Sequence, residues 1–303
     1  MTDRDPGRQN EYEEERRPPR DGQPPRPGAE GLRGLLQLRR HRRRPRHRNA
    51  QPLNPARLAV AAPFAVLALL AAAPAVAQTA PAACPVSAAH VAANDGLTRS
   101  RAAVAGGRLT ILAMGSSSIE GVGASRPELG FAPRLEAGLG RRLPGVEVTV
   151  VNRGVGGETA RETADRLARE TAAVRPDLVI WQLGTNDVLR DRPMDDVFAD
   201  FRRGQAILDA AGVDVLLVDS QRLPGQTDNP SFRGRNPALA EMARLIALEG
   251  GRKRYAVHGR FAAMADWGGL ERGGVGPDDL HLNDAGYACW AEVAAEGLAA
   301  ALR

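Results

Sequence analysis

From Gly107 onward, short apolar runs alternate with amphipathic stretches. Five runs have the length and composition of buried strands: Arg108–Met114, Val146–Val151, Leu178–Leu183, Val213–Val218 and a weaker one at Tyr255–His258. The segments with helical periodicity are Phe131–Leu143, Ala160–Val174, Asp195–Ala211, Asn236–Gly250 and Asp284–Leu302. Strands that alternate with helices of this length predict an α/β fold, with a central parallel five-stranded sheet covered on both faces. Ligands of such sheets bind beyond the carboxyl ends of the strands.

A longer apolar segment lies upstream, at Leu58–Ala77, and ends in the cleavage pattern Ala75-Val76-Ala77. The basic run Arg39–Arg48 precedes it, as expected for the hydrophobic region of a signal peptide. The sequence therefore predicts export, to the periplasm or the medium, with cleavage near Ala77. Because 20 residues can just span a bilayer, a retained membrane anchor is the alternative, which Pro63 and Pro74 weaken.

The basic charge of the chain belongs to its first 57 residues. They hold 15 Arg against eight Asp and Glu, a net charge of +7, whereas the rest of the chain carries about −2. A folded region of near-neutral charge does not predict nucleic-acid binding. Residues 1–57 are rich in Arg and Pro, which predicts a disordered leader. We divide the chain into this leader, the apolar segment 58–77, a linker or N-terminal extension at 78–106, and a folded domain at 107–303.

Two cysteines, Cys84 and Cys289, lie beyond the predicted cleavage site. In an oxidising compartment they could form one disulfide that ties the mature N-terminus to the last helix. Two unpaired thiols, with Cys289 buried, are the alternative. No Cys and His cluster has the spacing of metal ligands, and the sequence implies neither a metal nor an organic cofactor.

Four polar strings carry the candidate chemistry, and three of them directly follow a predicted strand. They are GSSSIEGVG at Gly115–Gly123, NRGVGGET at Asn152–Thr159, GTND at Gly184–Asp187 and DDLH at Asp278–His281. Together they supply a serine, a glycine, an asparagine and an Asp-x-x-His pair. A serine hydrolase needs a nucleophile, a base, a group that orients the base, and donors for the oxyanion. The four strings can supply them all.

In this order, the strings resemble the four sequence blocks of the SGNH (GDSL-like) hydrolases. The resemblance covers roughly Leu109 to Leu302. It implies a flavodoxin-like three-layer α/β/α fold over 107–303, and hydrolysis of esters, thioesters or acetyl groups.

The family pattern G-D-S-x-x-x-G selects the nucleophile from three adjacent serines. Gly115 and Gly121 fit its two glycines, which places Ser117 as the nucleophile. Ser116 then stands where the family usually has Asp, and this departure puts substrate positioning in doubt. A Ser-rich turn that only caps a helix is the competing interpretation.

The resemblance also implies the oxyanion hole. Gly157 matches the glycine whose N–H joins it, and Asn186 matches the asparagine whose side-chain amide donates to it; the N–H of Ser117 is the third donor. The second string could instead form a dinucleotide-binding loop, but Thr159 replaces the third glycine and Glu158 would face the phosphates. For the third string, an ordinary turn in which Asp187 caps or braces the loop is the alternative.

The resemblance makes His281 the general base and Asp278 its orienting partner. A three-residue spacing lets a turn bring the carboxylate against the imidazole, and the D-x-x-H frame favours Asp278 over Asp279. Two other histidines lie beyond the predicted cleavage site. His90 falls in the linker, and His258 lies in or near the weak strand, where a structural role is expected.

These assignments predict an exported serine esterase that hydrolyses acyl or acetyl esters of a small molecule, carbohydrate or lipid. An acyltransferase on the same scaffold, or a catalytically silent module that binds carbohydrate or a partner, are the alternatives. Asp219–Asp228 and Trp267–Gly276 are expected to line the substrate pocket. Arg222 and Arg233 could contact an anionic headgroup, although surface arginines usually contact only water.

Overall fold

A computed structural model describes residues 84–93, 95–267 and 273–303 of the chain. The predicted leader 1–57 and the apolar segment 58–77 lie outside the described residues, so disorder, export and a membrane tether stay predictions. Within the described ranges, no helix is both long enough and apolar enough to cross a membrane.

The core of the domain is a six-stranded sheet with the order β1-β6-β5-β4-β2-β3. Its strands are β1 (Val91–Ala92), β2 (Arg108–Gly115), β3 (Glu147–Gly154), β4 (Leu178–Gln182), β5 (Asp214–Val218) and β6 (Ala256–His258). All five predicted strands are present and run parallel, in the doubly wound order of flavodoxin-like folds. The predicted five-stranded sheet needs one correction, because β1 adds an antiparallel edge next to β6.

All five predicted helices are present, and four shorter ones join them in the described part of the chain. In chain order they are α1 (Thr98–Ala105), α2 (Ser117–Glu120), α3 (Phe131–Arg142), α4 (Ala160–Val174), α5 (Thr185–Leu189), α6 (Met194–Ala211), α7 (Asn236–Lys253), α8 (Arg260–Asp266) and α9 (Asp284–Leu302). A capping box in which Thr159 and Glu162 satisfy each other's backbone N–H groups starts α4 at the predicted residue.

Both faces of the sheet are buried, which explains why its strands read as apolar runs rather than alternating ones. Leu109 and Ile111 of β2 pack into the cluster built with α3 and α9, where Phe131 stacks on Trp290. Leu112 and its neighbours on the opposite side pack against α4, α6 and α7. The structure thus has three α/β/α layers, as the sequence predicts.

Residues 84–93 and 95–106, within the segment predicted as a linker, pack on the domain. They contribute β1 and α1, and the N–H of Ser100 in α1 donates to the carboxylate of Asp214 at 2.7 Å. Of the two alternatives for the cysteines, the structure has the disulfide: Cys84 and Cys289 are bonded, with their Cα atoms 5.6 Å apart. The folded region therefore begins upstream of residue 107.

Candidate active site

Three of the four polar strings meet at the carboxyl edge of the sheet. β2 lies between β3 and β4 in the sheet. The chain forms β3 on one side of β2 and then crosses to the other side of β2 to form β4. Doubly wound sheets bind ligands at such a switch point. Ser117 follows β2, Gly157 follows β3 and Asn186 follows β4, so the topology gathers these residues at one end of the sheet.

The turn after β2 exposes one serine of three. Ser117 is the first residue of α2 and is half-buried, whereas Ser116 and Ser118 are buried. The short helix ends at Gly121 in the left-handed region, with φ of +103°, which glycine adopts without the steric penalty of a Cβ. The family spacing and the burial pattern therefore select the same serine.

Ser116 shows what replaces the aspartate of the family pattern. Its backbone N–H and its hydroxyl both donate to Oε1 of Gln182, each at 3.0 Å. Gln182 is buried at the last position of β4. The turn that carries Ser117 is thus anchored to the neighbouring strand by a neutral side chain, without a buried carboxylate.

Ser117, His281 and Asp278 form one chain of hydrogen bonds. Nε2 of His281 lies 3.0 Å from Oγ of Ser117, and Nδ1 lies 2.5 Å from Oδ2 of Asp278. The other carboxylate oxygen, Oδ1, accepts from the N–H groups of Leu280 and His281. This is the order of contacts through which a carboxylate orients an imidazole against a serine hydroxyl.

Asp278 is held as a carboxylate by its surroundings. Partial burial raises the pKa of this carboxyl, but the hydrogen bonds from the His281 ring and from the backbone of Leu280 and His281 lower it by more, so the net pKa lies below its usual value. Asp279 is occupied elsewhere, because its carboxylate accepts from Oγ1 of Thr227 at 2.7 Å. The structure thus brings Asp278, and not Asp279, to the histidine.

Backbone contacts join the two ends of the loop that carries Asp278 and His281. The N–H of Gly276 donates to the carbonyl of His281 at 2.7 Å, and Val275 pairs with Leu282 in an isolated antiparallel bridge. Asn283 then caps α9 by accepting from the N–H groups of Ala285 and Gly286. These contacts fix the position of the histidine backbone relative to the last helix.

Gly157 lies in the loop after β3 and Asn186 lies in the first turn of α5, and a hydrogen bond joins these two segments. Nδ2 of Asn186 donates to the carbonyl of Glu158 at 2.9 Å, next to Gly157. Gly157 has φ of +79°, and a Cβ there would lie 3.0 Å from the guanidinium of Arg190. Asp187 is buried and accepts from the first N–H of α4, at Ala160, and from Arg192. It therefore braces the second string as well as its own loop.

The second string also contacts α2, the short helix that begins at Ser117. A Cβ on Gly154 would lie 2.1 Å from the backbone nitrogen of Glu120, so only glycine allows β3 and α2 to pack this closely. Nδ2 of Asn152 donates to the carbonyl of Ile119 at 2.7 Å, and the N–H of Val155 donates to Gly115 at 2.9 Å. The asparagine and glycines of this string position the turn that carries Ser117.

The other two histidines in the described ranges have partners other than Ser117. His258 ends β6 and is fully buried; its Nδ1 lies 3.1 Å from the carbonyl of His90, and its Nε2 accepts from Nε1 of Trp290. Burial lowers the pKa of His258 to about 4, which keeps the ring neutral at physiological pH. His90 pairs with Asp266 at 3.1 Å. Within the described ranges, no group of three or more His, Cys, Asp or Glu side chains is arranged to hold a metal ion.

Three buried polar side chains next to the site were not singled out from the sequence, although Gln221 lies within the segment Asp219–Asp228 that was expected to line the pocket. Gln182, Gln221 and Arg260 are each less than 3% exposed, and each contacts a neighbour of a candidate residue. Their partners lie far away along the chain, so no local spacing marks them. The signal that the sequence offers is weak: each is a polar residue at the end of an apolar strand or within three residues after it.

The fold and the order of the four strings define an SGNH-type hydrolase scaffold, as the resemblance implied. The Non-GDSL lipase-like family matches residues 83–291, and the chain belongs to this family. The match begins next to Cys84, which agrees with the inclusion of residues 84–106 in the folded domain.

Solved structures of esterases and lipases share the fold. A two-domain esterase (CEX) active on acetylated mannans is 25% identical, with a TM-score of 0.53 over 72% of this chain and 57% of that one. The lipase/acylhydrolase from Enterococcus faecalis is 22% identical, with a TM-score of 0.52 over 63% and 96%. A catalytic mutant of the acetylxylan esterase Axe2 from Geobacillus stearothermophilus is 20% identical, with a TM-score of 0.51 over 61% and 91%. No curated protein matches the sequence.

Proposed function

We propose that this chain is an exported serine esterase that transfers an acyl or acetyl group from an ester to water. The observation that carries the proposal is the chain of hydrogen bonds from Ser117 through His281 to Asp278. It supplies a nucleophile, a base and a group that orients the base, in one hydrogen-bonded order.

In the proposed reaction, Nε2 of His281 accepts the hydroxyl proton as Oγ of Ser117 attacks the ester carbonyl. The tetrahedral intermediate collapses when the imidazolium returns the proton to the leaving alcohol, which leaves an acyl-serine. His281 then deprotonates a water that attacks the acyl-enzyme, and the imidazolium returns this proton to Oγ of Ser117 as the acyl–oxygen bond breaks and the acid is released. Asp278 stabilises the imidazolium in both halves of the reaction.

We assign the oxyanion hole to the N–H groups of Ser117 and Gly157 and to the side-chain amide of Asn186. The bond from Asn186 to Glu158 uses one of its two amide hydrogens, and the second is the donor that we assign to the oxyanion. The positive φ of Gly157 supports its role, since it turns the backbone of the loop where no Cβ is present.

Acetylated carbohydrates are the substrate class that we would test first. The two-domain esterase active on acetylated mannans and the acetylxylan esterase share this fold. The chain spans only 57% of the length of the former, so its substrate does not transfer without a test. The lipase/acylhydrolase makes lipid esters the second class. Export is supported by the predicted signal segment and by the Cys84–Cys289 disulfide, which persists in oxidising compartments.

The test is acid release from acetylated sugars, lysophospholipids and p-nitrophenyl esters of short and long chains. Wild-type protein should hydrolyse at least one class and should react covalently with a fluorophosphonate probe. Ser117→Ala should lose both properties while its circular dichroism and Tm stay close to those of the wild type.

The neighbouring serines provide the matched controls. Ser116→Ala and Ser118→Ala should keep measurable hydrolysis and labelling, because neither hydroxyl contacts His281. An active Ser117→Ala beside an inactive Ser116→Ala or Ser118→Ala would show that the nucleophile is misassigned. A wild-type protein that neither hydrolyses nor labels would favour a binding module.

A further inference from the structure

Arg260 is a fully buried cation beside the nucleophile turn. It is the first residue of α8, directly beyond the carboxyl end of β6, and it is 0% exposed. Its Nη2 donates to Oε1 of Gln221 at 2.6 Å and to Oγ of Ser118 at 3.2 Å. Its guanidinium carbon lies 4.0 Å from the centroid of the Trp290 ring, a cation–π contact. A buried charge is costly to keep, so this arrangement needs a reason.

Gln221 follows β5 and is 1% exposed. Its backbone N–H donates to Oγ1 of Thr185 at 2.9 Å, and its Nε2 donates to the carbonyl of Leu280. Its Oε1 accepts from Arg260 and, at 3.4 Å, from Ser118. One residue is therefore bonded to three segments that are far apart in sequence: α2, the start of α5 and the loop that carries His281.

Each of these three contacts falls on the chain neighbour of a residue assigned to the reaction. Ser118 follows the proposed nucleophile, Thr185 precedes the proposed oxyanion asparagine, and Leu280 precedes the proposed base. None of the contacts reaches a reacting atom. The contacts of Gln221 therefore hold three segments of the chain in position relative to one another. They take no part in the proton transfer itself.

Arg260 determines which way the Gln221 amide points. A guanidinium has donors only, so it selects the amide oxygen of Gln221 and directs the NH2 group of the same amide to the Leu280 carbonyl. A neutral or absent side chain at position 260 would let the amide rotate. The charge is partly balanced by buried Asp219, whose pKa burial raises to about 7; burial lowers the pKa of Arg260 to about 10, so the guanidinium remains protonated at neutral pH.

We propose that Arg260 and Gln221 form a buried brace that positions the nucleophile turn, the asparagine loop and the histidine loop for the reaction. This inference rests on the proposed function for its catalytic consequence, but its structural consequence can be measured separately. Both are positioning residues, since neither touches the reacting atoms.

The test compares Gln221→Met with Gln205→Met. Both glutamines are 1% exposed, but Gln205 lies in α6 and its side-chain amide has no hydrogen-bond partner among the described residues. Gln221→Met should lower kcat for a p-nitrophenyl ester about 10- to 100-fold with KM changed less than about twofold, because misplacement of roughly 1 Å can cost 100-fold in rate. Gln205→Met should leave both constants unchanged.

Two further variants separate the parts of the brace. Gln221→Glu keeps an acceptor for Arg260 but loses the donor to Leu280, so its kcat should fall as far as that of Gln221→Met. Arg260→Met should lower kcat by a similar factor, and the double variant Arg260→Met with Gln221→Met should be no worse than either single variant, because the two act as one unit. Arg260→Lys should restore part of the rate.

Hydrogen exchange supplies the readout that does not depend on activity. The amides of Leu280 and His281 both donate to Asp278, and their exchange should become at least tenfold faster in Gln221→Met and not in Gln205→Met. Unchanged exchange and unchanged kcat in folded Gln221→Met would overturn the brace. Faster exchange in a protein whose wild type hydrolyses no ester would leave the brace standing and reject the proposed function.

Discussion

The carboxylate of Asp278, which we propose as the partner of His281, is more exposed than the buried aspartate of a typical Ser-His-Asp triad. Its side chain is 49% exposed and that of His281 is 23% exposed, so water reaches both groups. Its hydrogen bonds, rather than burial, therefore hold it ionised: burial acts to raise the pKa of Asp278, and the bonds from the ring and the backbone lower it by more. Because water screens part of the charge of an exposed carboxylate, orientation of the ring should account for more of its role than electrostatic stabilisation.

Asp278→Asn should lower kcat by about 10- to 1000-fold with little change in KM. The amide keeps the shape of the side chain but removes the charge that stabilises the imidazolium, and it can present an N–H to the ring and disturb the tautomer. Initial rates on one ester at saturating substrate measure the effect. Asp279→Asn is the matched control, because its partner is Thr227 and its amide can still accept that bond. A larger loss in Asp279→Asn than in Asp278→Asn would reverse the assignment.

At the scale of elements, the parallel strands could be predicted because both sheet faces are buried, which makes each strand an apolar run. The long helices could be predicted because their apolar positions recur with helical periodicity. The predicted Ala160–Val174 and Asp284–Leu302 agree with α4 and α9 at both ends, where a capping box and an asparagine cap mark the first turn. β1 was missed because two residues carry no periodicity, and its pairing with β6 depends on a partner about 165 residues away. The short helices α2 and α5 were missed for the same reason.

In the candidate site, too, the residues that could be predicted are those close together in the sequence. Residues within a short string, such as the Asp278 and His281 pair, have a spacing that the sequence displays. Gln182, Gln221 and Arg260 have partners at separations of 66, 59 and 142 residues. Only the folded sheet brings such residues together, so neither spacing nor periodicity in the sequence predicts these contacts.

Gly154→Ala tests how closely β3 and α2 must pack. The added Cβ would lie 2.1 Å from the backbone nitrogen of Glu120, so the strand or the nucleophile helix must shift. We expect kcat to fall at least about 10-fold, since displacements near 1 Å have that effect, and Tm to fall as well. Gly140→Ala in α3 is the control, because its Cβ meets nothing within 4 Å; it should raise stability by about 0.5–1 kcal/mol and leave kcat unchanged. Equal rates in the two variants would refute the close-packing argument.

At the scale of the whole domain, one covalent bond joins its two ends. Cys84 lies at the start of the described residues, Cys289 lies in α9, and 205 residues separate them. The same helix packs against α3 and carries Trp290, which stacks on Phe131 and supports Arg260. The disulfide therefore links the N-terminal segment, which includes the edge strand β1, to α9, the helix that directly follows the histidine loop.

A reductant should therefore lower the Tm of the wild-type protein. A native disulfide that closes a loop this long stabilises by about 2–5 kcal/mol, which corresponds to a fall in Tm of roughly 5–15 °C for a domain of this size. Cys84→Ala should show the lower Tm without a reductant, and the reductant should shift it no further. The kcat at temperatures well below Tm should change little, because neither cysteine belongs to the hydrogen-bonded chain of Ser117, His281 and Asp278. A Tm that responds equally to the reductant in both proteins would show that the disulfide is not the source of this stability, and it would remove one support for export.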